Sequence, residues 1–123
     1  HFMIKNELKK VNLTHPQFVV LASLAYLSQN NIEVTQVMIS KISGIDVMTV
    51  SQILNLLEKH NFVKRKEHSK DTRAKTVVLN KKGEEILQKA VPLVERIDEI
   101  FFGKLDNDED RFKQFLAKLN QEL

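Results

Sequence analysis

Nine Lys or Arg side chains, Lys59, Lys64, Arg65, Lys66, Lys70, Arg73, Lys75, Lys81 and Lys82, fall within 24 residues that hold only two acids, Glu67 and Asp71. A local charge of +7 repels itself unless an anion joins it, so the chemistry on offer is phosphate binding. The whole chain of 123 residues carries only +3, and the other 99 residues therefore sum to −4. A basic patch on an otherwise slightly acidic protein is the expected footprint of nucleic-acid binding. Just before the patch, Met48, Ser51, Gln52, Asn55 and Lys59 recur at helical spacing. Such a stripe of hydrogen-bonding side chains can meet base edges and phosphates.

Other chemistry finds less support. The four histidines, His1, His15, His60 and His68, include no pair at i and i+4 on one helix, and with no cysteine in the chain we expect no metal site. The run DNDED at 106–110 begins like a calcium loop, but Arg111 stands in place of the required glycine and Ala117 in place of the bidentate glutamate. It reads as an acidic helix start. A phosphate loop, a nucleophile motif and paired carboxylates in an apolar setting are all missing, so the chain does not read as an enzyme and needs no cofactor. The longest apolar run, FVVLASLAYL at 18–27, is half of the ~20 residues a membrane span requires. We read a single domain with an apolar content of 42%, enough for a core, working in the cytoplasm.

The elements that must position these residues can be read from spacing and caps. HFMIKNELKKVNL places Ile4, Leu8 and Val11 at helical spacing. In THPQFVVLASLAYLSQNN, Thr14 and Gln17 form a capping-box pattern, Pro16 sits in the first turn and Asn30-Asn31 marks the exit. After an extended segment at Glu33 and Val34, Thr35 caps TQVMISKIS, which buries Ile39 and Ile42 before Gly44 breaks it. Asp46 caps VMTVSQILNLLEKH, whose Val50, Ile53, Leu54 and Leu57 share one face. Two short helices joined by a tight glycine turn match a helix-turn-helix, and NFVKRKEH with AKTVVLN around SKDTR makes a β-hairpin behind it, the position of a wing. Asn80 then caps a long helix from Lys81 with Pro92 as a bend, and Asp106 or Asn107 caps a last one.

With these features in order, the chain resembles the MarR family of bacterial transcriptional regulators over essentially its whole length. The resemblance rests on LTHPQFVVLASL, on VTQVMISKISGIDVMTVSQILNLLEKHNFVKR, on the wing with Asp71-Thr72-Arg73, and on VVLNKKGEEIL leading into a long helix. It implies a mainly α (α+β) fold: a winged helix-turn-helix with a two-stranded wing, and N- and C-terminal helices that form a dimerisation region. The expected division is a single winged-helix domain over 1–123, with a DNA-binding lobe at 14–83 (helix-turn-helix 35–60, wing 62–79) and dimerisation helices at 1–13 and 84–123.

The resemblance also implies roles. Thr49, Ser51, Gln52 and Asn55 occupy the groove-facing positions of the recognition helix, where Gln and Asn can bond adenine bidentately. Arg73 becomes the minor-groove reader and Asp71 the residue that holds it, or a neighbouring wing base, through a charge-assisted hydrogen bond. Lys59, Lys64, Lys66, Lys70 and Lys75 become phosphate contacts. Val47 and Met48 depart from the small or polar residues common at the start of that helix and offer a thymine methyl contact. A small aromatic or lipophilic effector is implied in a cleft near His15, Phe18 and Tyr26. The family's first helix normally begins well before the position where this sequence starts.

Ile97, Ile100, Phe101, Leu105, Phe112, Phe115, Leu116 and Leu119 are more apolar surface than so small a lobe covers alone; the plain reading is intrachain core, and the preferred one a two-fold interface with a second copy that Ile4 and Leu8 join. The expectation is a double-stranded DNA-binding transcriptional regulator, a repressor acting as a homodimer on a pseudo-palindromic operator and released by a small molecule. Its rival is a winged-helix interaction module whose basic wing docks an acidic protein. The plainer readings are a solvated hairpin, a solvent-facing helix stripe and an Asp71/Arg73 surface pair.

Overall fold

A computed structural model describes residues 13–30 and 32–94. The expected first helix, the helices beyond residue 94, the DNDED stretch and all ten expected dimer-interface residues lie outside the described residues.

Helix α1 spans His15–Ser28. Thr14 accepts from the Gln17 amide at 3.2 Å while Gln17 Oε1 accepts from the Thr14 amide at 3.0 Å, the reciprocal pair that its spacing suggested. From Phe18 to Tyr26 every residue is buried, because an apolar sequence on all sides forces the helix into the centre of the core. Helix α2 (Gln36–Ser43) is capped by Thr35 and ends at Gly44, whose φ of 75° closes the helix in a left-handed turn. Helix α3 (Val47–Lys59) is capped by Asp46 and buries Val50, Ile53, Leu54 and Leu57 on one stripe. The chain bends by 112° between α2 and α3, within the range of a helix-turn-helix.

Strands β1 (Val63–Glu67) and β2 (Lys75–Leu79) pair antiparallel, with Val63 opposite Leu79 and Glu67 opposite Lys75. The extended segment before α2 joins them: the Val77 amide donates to the Val34 carbonyl at 2.8 Å, and Thr35 bridges to Thr76. The wing is thus stitched on its second edge to the entry of the helix-turn-helix. Helix α4 (Lys81–Val94) runs through Pro92 and packs Leu87 and Ala90 on the core.

Asn80 corrects one expectation. Its carbonyl accepts from the Glu84 amide at 2.9 Å, as an N-cap residue's should, but its side chain does not cap. Nδ2 instead donates to the carbonyl (3.2 Å) and to Oδ1 (3.1 Å) of Asn61, which sits at φ 63° after α3. The amide binds the two ends of the hairpin together, at the place where the chain leaves α3 and enters α4. Among the described residues no helix is long and apolar enough to cross a membrane.

Candidate nucleic-acid interface

Helix α3 buries its apolar stripe against α1 and α2, so its opposite face is fixed toward solvent. Gln52 and Asn55 lie exposed on that face, with Ser51 and Thr49 half-buried beside them. At its N-terminal end Met48 is 72% exposed and Val47 is exposed as well, an apolar tip on a helix that otherwise presents polar groups. Thr49 is less available than its type suggests. Its hydroxyl donates to Asp46 Oδ2 at 2.7 Å and its amide to Oδ1 at 2.9 Å. These two bonds hold the Asp46 carboxyl below its ordinary 3.8.

The wing carries the cations. Lys64, Lys66, Lys70 and Lys75 are all exposed, as is Lys59 at the end of α3. Arg73 is open as well, its side chain 93% exposed, and Asp71 Oδ1 accepts from both its Nε (3.2 Å) and its backbone amide (3.1 Å). The sequence expectation that Asp71 would hold this arginine thus corresponds to a contact between them. Next to it, His68 organises the turn: Nδ1 accepts from the amides of Lys70 and Asp71, each at 3.1 Å. The wing tip is moored by Glu33, which accepts from the Ser69 amide at 3.0 Å and from the Ser69 hydroxyl. Those donors keep the Glu33 carboxyl below its ordinary 4.5.

Arg65 has a different part from its neighbours, and the sequence reading gave it none. Its side chain is only 18% exposed. Its guanidinium donates to Glu58 Oε1 (3.0 and 3.3 Å), to Gln36 Oε1 (3.1 Å) and to Asn55 Oδ1. One cation so joins the wing, the first helix of the helix-turn-helix and the exposed face of α3. The Glu58 carboxyl, bonded chiefly by that side chain, is held below 4.5. Sequence spacing hides the arrangement, since Gln36 lies 29 residues from Arg65 and the hairpin has to fold before they meet. Glu33 and Ser69, 36 residues apart, were missed for the same reason.

Of the residues expected near an effector, Phe18 and Tyr26 belong to the core and His15 opens α1. Phe18 is 1% exposed and Tyr26 is buried, both as members of the core, because α1 has no polar face to turn toward a ligand. His15 is half-buried, and burial lowers its imidazole pKa below 6.5. A cleft of about 550 Å³ lies between the C-terminal end of α1, β2 and α4, with Ala25, Ile32, Glu33, Val78, Leu79 and Leu87 among its walls.

A bent helix pair, a hairpin behind it and a cationic hairpin tip define a winged helix-turn-helix. Residues 9–97 match the family model described as ArnR1-like, winged-helix domain, and the chain belongs to that family. An uncharacterized HTH-type transcriptional regulator of Bacillus subtilis strain 168, YdcH, is 36% identical over 96 residues, 78% of this chain. The matched part spans 65% of that relative's length. The transcriptional regulator HosA of Escherichia coli O111:H- is 31% identical over 109 residues, 88% of this chain and 78% of HosA. In fold, the chain superimposes on a mutant MarR from E. coli, solved in complex with operator DNA, with a TM-score of 0.67 and 24% identity, covering 95% of this chain and 81% of MarR. The protein is thus a winged-helix protein with the fold of MarR, and the relatives named above carry the description of transcriptional regulators.

Proposed function

We propose that this protein is a sequence-specific regulator that binds duplex DNA as a homodimer, represses by occupying a pseudo-palindromic operator, and is released by a small molecule. The observation that carries the reading is the exposed polar face of α3 lying beside a wing whose Arg73 is held out into solvent by Asp71. In this reading α3 enters the major groove with Ser51, Gln52 and Asn55 toward the bases, and Met48 meets a thymine methyl. Arg73 enters the flanking minor groove, where a narrow groove concentrates negative potential. Lys59, Lys64, Lys66, Lys70 and Lys75 bind phosphates and supply affinity without sequence information. Support comes also from the regulators to which the chain is similar, one of which was solved on operator DNA.

Release needs an effector that binds the DNA-competent arrangement of the lobes less well than another. The cleft between α1, β2 and α4 is of a size suited to a small molecule, and Glu33 links one of its walls to the wing tip. The reading implies a cytoplasmic protein.

The test is binding to random and selected duplexes over a range of salt. Affinity should fall steeply as salt rises, and Arg73→Ala should lower the logarithmic slope by about one. Tight binding that does not respond to salt would favour an acidic protein partner instead.

A further inference from the structure

A carboxamide on a recognition helix can read a base in two ways, and the difference lies in which end is free. With both ends free it meets adenine, accepting from N6 and donating to N7. In this structure Asn55 does not have both ends free. Its Oδ1 accepts from the Arg65 guanidinium, whereas Nδ2 has no partner among the described residues and lies on the exposed face. The orientation is dictated by chemistry, since the reverse would set two donor groups against each other. Arg65 is itself immobilised by Glu58 and Gln36, so the amide is held from a fixed point. With one lone pair of Oδ1 turned inward to the guanidinium, Nδ2 is the end of the amide that faces outward.

From this geometry we infer that Arg65 is a specificity-determining positioning residue: by occupying Oδ1 it makes Asn55 a donor-only reader that selects guanine over adenine. Guanine presents two adjacent acceptors, N7 and O6, in the major groove, and both suit an outward NH2 group. Adenine presents one acceptor and a donor that this NH2 group opposes. Gln52, which makes no such bond, keeps both ends for adenine. The inference rests on the DNA-binding reading above and assigns the base that one position of α3 prefers.

The experiment starts from sites selected by the full chain from random duplex DNA. Failure to bind any duplex in a salt-dependent way would sink the DNA reading itself, before base preference is asked. The base pair read by residue 55 is the one whose preference disappears in Asn55→Ala; if no pair responds, the inference is overturned. At that pair, guanine should be preferred to adenine about tenfold, and 2-aminopurine, which keeps N7 but has no O6, should lose most of the advantage. Asn55→Asp keeps an acceptor for Arg65 but replaces the outward donor with a second acceptor, so the guanine preference should be lost in favour of a base with an amino group, cytosine or adenine. Arg65→Met frees Oδ1, so the ratio of guanine to adenine should fall toward one, while the salt slope on random duplex changes little. An adenine preference in the wild type that vanishes when the N6 amino group is removed overturns the inference. So does a guanine preference that survives in folded Arg65→Met. Should Arg65→Met not fold, the 2-aminopurine and Asn55→Asp results decide alone.

Discussion

Arg65 and Arg73 stand eight residues apart in one hairpin and carry the same charge, yet their surroundings give them opposite work. Arg73 has a single carboxylate beside it and is open to solvent, so its charge is available to DNA. An exposed pair of this kind adds little to stability, so Arg73→Ala should leave the melting temperature nearly unchanged while weakening DNA binding. Asp71→Ala should weaken it less, because the guanidinium remains and only its orientation is lost; fluorescence anisotropy on a selected duplex would rank the two. Arg65 is spent on three protein acceptors, and its loss acts on the protein first. The sequence made Asp71 and Arg73 legible because partners two residues apart meet in any tight turn. It could not reveal Arg65, whose partners come from two other elements; a count of charge merges it with the lysines around it. Asn55 was assigned to the right face of α3 from periodicity alone, but which end of its amide is free is a tertiary fact.

Between elements, contacts at close quarters matter more than propensity. Gly83 lies in the first turn of α4, where alanine would be the better helix former by about 1 kcal/mol. A β-carbon there would stand 2.2 Å from the Phe62 carbonyl oxygen and 2.8 Å from Leu79 Cδ1. Backbone cannot yield as a flexible side chain can, so Gly83→Ala should destabilise by about 1–3 kcal/mol in thermal or urea unfolding, against the sign of its propensity. The first-turn glycine was visible in NKKGEE, but its purpose was not, since the obstructing carbonyl belongs to the residue that precedes β1. The capping box of α1 was readable in full because its partners are three residues apart, and Thr14→Ala should cost about 1 kcal/mol. Three tethers depend on pH: Glu33 to Ser69, Asp46 to Thr49 and Glu58 to Arg65, all with depressed carboxyl pKa values. A depressed acid adds stability that is complete above its unfolded value, here 4.5 for the glutamates and 3.8 for the aspartate, and is lost as pH falls through the folded value. The contribution of these three tethers should therefore hold from pH 7 to about 5 and drop below that, after a smaller loss of stability that starts near pH 6.5, where the half-buried His15 resists protonation; Glu33→Gln with Glu58→Gln should reduce only the drop below 5.

At the scale of the whole molecule, one lobe offers one exposed helix face and one wing, which is a small surface on which to find a site in a genome. In the proposed homodimer a two-fold axis relates two such lobes, and binding by the first makes binding by the second intramolecular. The apolar residues expected to form that interface lie outside the described residues, so the dimer is best tested through its DNA. Two recognition helices on one face of the duplex require half-site centres about one helical turn apart, ~10 base pairs. Inserting ~5 base pairs between the half-sites turns one of them to the far side of the duplex without altering any base that either lobe touches. If two lobes act together, that insertion should weaken binding by about a hundredfold or more, and ~10 inserted base pairs, which restore the face, should be tolerated better. Sedimentation of the full chain should show twice the mass of one chain at the concentrations used. Equal affinity for all three spacings would mean that the lobes bind independently, and the symmetric operator would have to be abandoned even if each lobe reads its own half-site as proposed.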